Sequence, residues 1–183
     1  MKAKLKRTIV LIGMMGAGKT AVGTALARML GVPFVDSDDE IERAANMTVA
    51  EIFARDGEAF FRVKESQVLK RLLSGPPCVL STGGGAFLAE ANRQAIEAAG
   101  VSVWLRADLD LLWARVRHKA TRPLLRTADP KGTLARLLEA RAPIYGRAQL
   151  IVESEADLSV EDMAARVLAR LKAEGGIIAG GEA

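Results

Sequence analysis

The chain has 183 residues and half of them are hydrophobic, which suffices for one globular domain with a sizeable core and leaves too little for a second full domain. Its formal net charge of +4 suits a nucleic acid, and equally a small anion such as a nucleotide. Aromatic residues make up only 4% of the chain, which disfavours a nucleic-acid module that stacks bases on aromatic side chains. We therefore expect no nucleic-acid partner.

The cysteine content and the hydrophobic segments indicate a reducing, aqueous compartment. Cys78 is the only cysteine, so it has no partner for an intramolecular disulfide. The N-terminal lysines and the apolar residues after them imitate a secretory signal, but glycines and Lys19 interrupt the apolar run. No other segment approaches the ~18 apolar residues that a membrane-spanning helix needs. We expect a cytoplasmic protein that does not associate with membranes.

Five short apolar segments alternate with helix-like sequence, which is the pattern of repeated βαβ units. Strands that are apolar throughout are usually buried on both faces. The pattern therefore predicts a three-layer α/β fold, in which helices cover both faces of a five-stranded parallel sheet. The predicted strands are residues 8–13, 33–35, 78–81, 101–105 and 149–152.

Residues 13–20 read GMMGAGKT, an unbroken match to the phosphate-binding pattern G-x-x-x-x-G-K-[ST] between a predicted strand and a predicted helix. Glycines let successive N–H groups turn toward phosphates, and the following helix directs its positive end at them. Lys19 is expected to reach the β- and γ-phosphates, and the Thr20 hydroxyl to bind Mg²⁺. The pattern leaves the reaction open, because GTPases, ATPases and kinases share it. The predicted ATP-binding residues of this segment are Gly13, Gly16, Ala17, Gly18, Lys19, Thr20 and Ala21.

Three aspartates follow the second predicted strand, at the edge where open parallel sheets bind their ligands. In an extended segment Asp36 and Asp38 point the same way, so one can join the Mg²⁺ shell while the other accepts a hydrogen bond from a hydroxyl. Asp39 is assigned to the N-cap of the next helix. The third predicted strand ends in three glycines, 83–85, without an acidic residue, so Asp36 is the preferred metal ligand. Those glycines can present N–H groups to a ligand or form an ordinary turn.

Capping signals and composition mark the remaining boundaries. Thr48 precedes Glu51 by three residues and Ser159 precedes Asp162 in the same way, so each hydroxyl can cap a helix. Residues 118–131, HKATRPLLRTADPK, are basic, carry two prolines and lack periodicity, which predicts a mobile loop or plain solvated surface. We predict one domain over residues 1–175, a disordered tail over 176–183, and helix ends at Gly31, Gly75 and Gly100.

Six segments resemble the shikimate kinase family in their order and spacing, over about residues 8–152: GMMGAGKT, FVDSD, GEAFFRVKE, STGGG, RPLL and RAPIY. The resemblance implies a P-loop kinase of nucleoside-monophosphate-kinase-like fold with a mobile lid at about 118–131. It also implies transfer of the ATP γ-phosphoryl group to the 3-hydroxyl of shikimate, with Mg²⁺ as cofactor, in aromatic amino-acid biosynthesis. The implied partners are ATP and shikimate, and we expect a monomer.

The same resemblance implies roles for individual residues. Asp38 would hold the ring hydroxyls and orient or deprotonate the attacking one. Arg62 and Arg141 would bind the shikimate carboxylate, which guanidinium forks match. Arg122 would close over ATP as an arginine finger, and Arg115 would lie against the adenine. The implied catalytic residues are Lys19, Asp38 and Arg122, the metal ligands are Thr20 and Asp36, and the backbone contacts to substrate come from Gly83, Gly84 and Gly85.

Other interpretations stay open at this point. A kinase for gluconate or for a nucleoside monophosphate would share the phosphate-binding segment, and a non-catalytic nucleotide-binding module could carry it too. Arg62 could simply pair with Glu65 on a helix surface, and Arg141 could also be surface. No residue after Arg141 matches the family's late adenine-contacting position.

Overall fold

The computed structural model describes residues 4–118 and 123–180, and within them it contains a five-stranded parallel sheet flanked by helices. The strand order is β3-β4-β2-β5-β6, and every neighbouring pair is parallel. The predicted three-layer α/β fold is confirmed, because all five predicted strands are present. The strands are β1 (Lys4–Leu5), β2 (Thr8–Ile12), β3 (Phe34–Asp36), β4 (Val79–Ser81), β5 (Gly100–Arg106), β6 (Leu150–Glu153) and β7 (Ile178–Ala179).

Seven α-helices connect and follow these strands in the described part of the chain. Helices α1 and α7 pack against each other on one face of the sheet. The connection from β2 to β3 runs in one direction across the sheet and the later connections between strands run in the opposite direction, so right-handed crossovers place the remaining helices on the other face. None of the helices in this part of the chain combines the length and the apolar character needed to cross a membrane. The helices are α1 (Lys19–Leu30), α2 (Ser37–Ala45), α3 (Val49–Leu73), α4 (Glu90–Ala99), α5 (Leu109–Val116), α6 (Pro130–Tyr145) and α7 (Val160–Glu174).

Strand β2 lies at the centre of the sheet, which explains why its sequence is apolar throughout. All five of its residues are buried, since β4 and β5 flank it and helices cover both faces. The main core cluster surrounds this strand, and a smaller cluster of Ile41, Ile52, Phe61 and Val68 lies between α2 and α3. The smaller cluster fixes the helix pair that borders the site described below.

The predicted capping signals hold. The Thr48 hydroxyl accepts from the amide of Glu51 at 3.1 Å, and the Glu51 carboxylate accepts from the amide of Thr48 at 2.9 Å, which is a capping box. Ser159 likewise accepts from the amide of Asp162 at 3.0 Å. Gly31 ends α1 with a φ of 66°, as predicted. Gly100 is the C-cap of α4, also as predicted, and begins β5, where an added Cβ would lie 2.8 Å from the carbonyl oxygen of Thr8.

The glycine-rich C-terminal segment is ordered over residues 176–180, so the prediction of disorder from residue 176 is wrong there. Ile178–Ala179 pair antiparallel with Lys4–Leu5, and the amide of Lys6 donates to the carbonyl of Ile177 at 2.9 Å. Ile177 is buried in the main core. The apolar pair within the glycines therefore anchors the segment beside β1, a long-range contact that composition alone does not reveal. Residues 181–183 lie outside the described residues.

The predicted lid at 118–131 is too long at its C-terminal end, because α6 already begins at Pro130. Asp129 caps this helix by accepting from the amide of Gly132 at 3.1 Å, and a proline fits the first helical position. Within the remaining segment, Pro123–Leu125 form a short 3-10 turn. Residues 119–122 of the predicted lid lie outside the described residues.

Candidate active site

The loops after β2 and β4 meet at the carboxyl edge of the sheet. These two strands are neighbours, and the helices that follow them leave on opposite faces, which creates the crevice where open α/β sheets bind ligands. Thr82 ties the two loops together, because both its hydroxyl and its amide donate to the carbonyl of Leu11, at 3.1 and 3.3 Å. The predicted phosphate loop and the three glycines are therefore adjacent.

The phosphate loop runs from β2 into α1. The ammonium group of Lys19 donates to the carbonyls of Gly13 and Met14 at 2.8 and 3.0 Å and so lies back over the loop. Gly18 precedes α1 with a φ of 89° and makes no side-chain cap, which leaves the positive end of the helix dipole directed at the loop. Of the other predicted ATP-binding residues, Ala17 is buried, while Thr20 and Ala21 are exposed in the first turn.

Helix α5 supports the phosphate loop from the side. A Cβ on Gly16 would lie 2.7 Å from Val116, and the φ of Gly16 is 83°, so only glycine fits this turn. Arg115 donates to the carbonyl of Gly16 at 3.0 Å and to the hydroxyl of Ser154 at 3.4 Å, and burial lowers the pKa of its guanidinium. Arg115 thus connects Ser154, which directly follows β6, to the phosphate loop, and the sequence left this serine unassigned.

Asp36 is the N-cap of α2, so the assignment of that cap to Asp39 is wrong. The Asp36 carboxylate accepts from the amides of Asp38 and Asp39 at 2.9 and 3.3 Å. Because α2 begins at Ser37, Asp38 is helical, and the expectation that Asp36 and Asp38 point the same way along an extended segment is also wrong. The cap uses one Asp36 oxygen, and burial raises the pKa of this carboxyl group.

Asp38 carries a buried oxygen, Oδ1, for which the described residues offer no hydrogen-bond partner. Burial, together with the negative charges of Asp36 and Glu65, raises the pKa of Asp38 to about 6, and the positive charge of Lys19 opposes this shift. At neutral pH the group is ionised and accepts hydrogen bonds only. An unsatisfied buried carboxylate oxygen is costly, and a donor supplied by a ligand would relieve that cost.

The three glycines lie against three of the predicted substrate-binding side chains. An added Cβ on Gly83 would lie 3.0 Å from the Asp38 carboxylate, and one on Gly84 would lie 2.8 Å from the guanidinium of Arg141. An added Cβ on Gly85 would lie 2.5 Å from the guanidinium of Arg62. These contacts bring Asp38, Arg62 and Arg141 together around one loop, which we name the triple-glycine loop, and they explain why it has no side chains.

We predict that Gly85→Ala weakens acceptor binding without unfolding the protein. The new methyl group would displace the end of the Arg62 side chain, which can move, so the main effect falls on substrate affinity. We expect the KM for the acceptor to rise about tenfold, the equivalent of about 1.4 kcal/mol. Gly75→Ala is the control, because its nearest neighbour would be 3.4 Å away in a turn remote from this loop. Equal acceptor KM values in the two variants would contradict the prediction.

Arg62 forms the ion pair with Glu65 that the sequence left open, and its guanidinium also faces the crevice. Its guanidinium forms an ion pair of 2.9 Å with Glu65 on α3, and 35% of its side chain remains exposed at the crevice. Glu65 is only 2% exposed, and its other oxygen has no hydrogen-bond partner among the described residues. Burial raises the pKa of Glu65, against the Arg62 hydrogen bond that lowers it. Glu65 lies four residues from both Phe61 and Leu69, which are buried, so its spacing places it on the buried face of the helix. Carboxylates are rarely buried without a partner, and this spacing is the sequence signal that could have identified Glu65.

The remaining predicted residues have simpler outcomes. Arg141 lies half-buried on α6, one turn before Tyr145, and faces Gly84 as described above. Arg122, the predicted arginine finger, lies outside the described residues. No group of three or more His, Cys, Asp or Glu residues that could hold a metal ion occurs in residues 4–118 and 123–180. The Thr20 hydroxyl and the free oxygen of Asp36 are hard oxygen donors and fit Mg²⁺, which in phosphoryl-transfer sites takes most of its other ligands from phosphates and water.

The crevice therefore joins a lysine-bearing phosphate loop to a pocket that presents a carboxylate acceptor and two guanidinium groups. Together with the doubly wound parallel sheet, this arrangement defines a P-loop kinase of the small-molecule type. The family model described as shikimate kinase matches residues 15–172, and the chain belongs to the shikimate kinase family.

Individual relatives agree with this membership. A shikimate kinase from Cereibacter sphaeroides is 72% identical over 90% of this chain and 82% of that relative. A shikimate kinase from Ruegeria pomeroyi is 68% identical over 92% of this chain and 87% of that relative. Among solved structures, the shikimate kinase from Acinetobacter baumannii in complex with shikimate has a TM-score of 0.87 and 38% identity, over 93% of this chain and 95% of that one.

Proposed function

We propose that this ATP-dependent kinase transfers the γ-phosphoryl group of ATP to the 3-hydroxyl of shikimate, giving shikimate 3-phosphate. The observation that carries the proposal is the buried oxygen of Asp38, which has no hydrogen-bond partner among the described residues and lies beside a loop that also contacts Arg62 and Arg141. Shikimate has one carboxylate and three ring hydroxyls, which match two guanidinium groups and a hydrogen-bond acceptor. The reaction belongs to aromatic amino-acid biosynthesis. In this proposal the enzyme is a cytoplasmic monomer with a single domain over residues 1–175.

On the acceptor side, the residues bind and orient shikimate. Arg62 and Arg141 pair with its carboxylate, and Glu65 holds the guanidinium of Arg62 in position. Asp38 accepts a hydrogen bond from the attacking hydroxyl, aligns it with the γ-phosphorus and takes up its proton as the new bond forms. Such alignment supplies a large part of the rate enhancement, because phosphoryl transfer requires little covalent chemistry of the protein.

On the nucleotide side, the loop amides and Lys19 bind the β- and γ-phosphates and stabilise the charge that develops during transfer. The proposed position of Arg122 over the transferring group rests on the RPLL segment of the sequence. Arg115 and Ser154 border the nucleotide end of the loop. When bound by Thr20 and Asp36, Mg²⁺ supplies charge neutralisation for the phosphates.

The acceptor identity is tested by measuring ADP release with ATP and Mg²⁺ in parallel reactions containing shikimate, gluconate, AMP, CMP or no acceptor. We expect strong stimulation by shikimate alone, because neither gluconate nor a nucleotide presents a ring with one carboxylate and three hydroxyls. Stimulation by gluconate or a nucleotide instead would replace the proposed acceptor and retain the kinase. Nucleotide binding without stimulation by any acceptor would favour a non-catalytic module.

A further inference from the structure

Tyr145 is the last residue of α6 and is completely buried beneath the triple-glycine loop. Its ring packs against Trp104 at a centroid distance of 5.7 Å, and Trp104 in turn lies 3.5 Å from the position a Cβ on Gly13 would take. The aromatic pair therefore fills the space between the phosphate loop and the acceptor side. Any aromatic residue of this size could fill that space, so packing alone does not explain why residue 145 carries a hydroxyl.

The hydroxyl of Tyr145 has two neighbours among the described residues, Gly84 and Arg141, and both belong to the acceptor side. It donates to the carbonyl of Gly84 at 2.6 Å, and the guanidinium of Arg141 lies beside the same glycine. Burial raises the pKa of the Tyr145 hydroxyl, and the nearby charge of Arg141 lowers it. A phenol hydroxyl has one hydrogen and free lone pairs, so it can donate to the carbonyl and accept from the guanidinium at once. Because the carbonyl fixes the direction of the hydrogen, it also fixes the direction in which the lone pairs face Arg141.

The two neighbours converge on one point. The position of a Cβ on Gly84 lies 2.8 Å from Arg141 and 3.5 Å from the Tyr145 hydroxyl. Arg141 and Tyr145 are four residues apart on α6, which puts their side chains on the same helix face. A change at the hydroxyl would therefore act on the peptide of Gly84 and on the guanidinium of Arg141, and would leave the ring packed against Trp104.

We propose that Tyr145 is a positioning residue for the acceptor site: its hydroxyl holds the Gly84 peptide and the Arg141 guanidinium in the geometry that receives the substrate carboxylate. The inference rests on the proposed function, since it concerns the binding of shikimate. Tyr145 is completely buried, so its hydroxyl acts through Arg141 and Gly84 and takes no part in phosphoryl transfer. Its loss should raise the KM for shikimate and change kcat little, the behaviour of a group that contributes uniformly to ground-state and transition-state binding.

The first test is Tyr145→Phe, which keeps the ring and removes the hydroxyl. We expect the KM for shikimate to rise about tenfold, the equivalent of about 1.4 kcal/mol, while kcat and the KM for ATP stay within about twofold. Ser102→Ala is the matched control, because it also removes a buried hydroxyl, one that accepts from the amide of Gln149 at 2.9 Å, away from the triple-glycine loop. An unchanged shikimate KM in Tyr145→Phe, or an equal rise in Ser102→Ala, would overturn the proposal.

A double-mutant cycle separates positioning from packing. In an Arg141→Ala background, Tyr145→Phe should raise the shikimate KM by less than about threefold, because the guanidinium through which the hydroxyl acts is gone. A tenfold rise in both backgrounds would show that the hydroxyl does not act through Arg141. If wild-type enzyme fails to phosphorylate shikimate, the proposed function fails. If wild-type enzyme succeeds and Tyr145→Phe behaves like it, only the present inference fails.

A spectroscopic readout avoids any dependence on the stability of the Phe variant. Tyr145 is the only tyrosine in the chain, so growth on 3-fluorotyrosine labels this one position in the full-length enzyme. We expect a single fluorine resonance that shifts when saturating shikimate is added, and that loses this response in Arg141→Ala. A resonance that stays fixed while shikimate is being turned over would contradict the proposed contact between the hydroxyl and the acceptor site.

Discussion

Asp38→Asn is expected to lower kcat for shikimate about a hundredfold or more, the usual range for loss of a positioned acid–base group. The amide is nearly the same size as the carboxylate but cannot take up the proton of the attacking hydroxyl. ATP binding should persist, because Lys19 and the loop amides are unchanged. Asp39→Asn is the matched control, since Asp39 is an exposed carboxylate one residue away.

The same substitution should stabilise the ligand-free protein at alkaline pH. The folded-state pKa of Asp38 is raised from 3.8 to about 6. The contribution of this group to the free energy of unfolding is therefore greatest below about pH 4 and is lost as the pH rises through 6. At pH 8, Asp38→Asn should raise that free energy by about 1–3 kcal/mol, and at pH 4 the difference from wild type should be small.

Denaturant unfolding at the two pH values and steady-state kinetics at pH 8 check both parts together. A variant that loses activity and gains stability would show that the buried, ionised carboxylate of Asp38 is needed for activity and lowers the free energy of unfolding. Wild-type kcat in Asp38→Asn would remove Asp38 from the chemistry. Lower stability at pH 8 would contradict the burial of an ionised, unpartnered oxygen at this position.

Arg62→Ala and Arg141→Ala are each expected to raise the KM for shikimate about 30-fold, from a loss of about 2 kcal/mol in a desolvated charge pair. The KM for ATP should stay within about twofold, because both guanidinium groups lie against the triple-glycine loop, on the acceptor side. Arg62→Ala should also destabilise the protein, since it leaves the buried Glu65 carboxylate without its ion pair. Arg141→Ala should not show this second effect.

Arg71→Ala serves as the control for charge, because Arg71 also lies on α3 and pairs with Glu40 at the surface. Its kinetics should match those of wild type. Unchanged shikimate KM values in both Arg62→Ala and Arg141→Ala would mean that the carboxylate is bound elsewhere. A raised ATP KM in either variant would show that the acceptor side and the nucleotide side are not separate in the way the structure indicates.

The sequence predicted the fold closely because the strongest signals in the chain are local. Continuous apolar strands, the phosphate-loop pattern and the Thr48 capping box each depend on a few neighbouring residues, and the structure contains all of them. The ordering of Ile178–Ala179 was missed for the opposite reason, since this strand pairs with Lys4–Leu5 at the other end of the chain. The cap of α2 was misassigned by three residues, because any of three nearby aspartates could have supplied it.

At the candidate site, the sequence indicated the residue types but not what holds them. The proximity of Arg62, Asp38 and Arg141 depends on the triple-glycine loop, which composition describes equally well as an ordinary turn. Glu65 was predicted only as a surface partner of Arg62 and Tyr145 was given no role, because each lies among apolar residues in a helix, so its polar group did not stand out in the sequence. The role of the polar group at the end of each side chain can be inferred only when the residues packed around it are known.

The most direct test of the account is to identify the product formed from shikimate, ATP and Mg²⁺ by phosphorus and proton NMR. Besides the resonances of ADP, the account predicts one new phosphorus resonance, coupled to the proton on carbon 3 of the shikimate ring and formed in the same amount as ADP. Coupling to a proton at another ring carbon would contradict the proposed alignment of the 3-hydroxyl by Asp38. Release of inorganic phosphate with unchanged shikimate would contradict the central claim that shikimate is the acceptor.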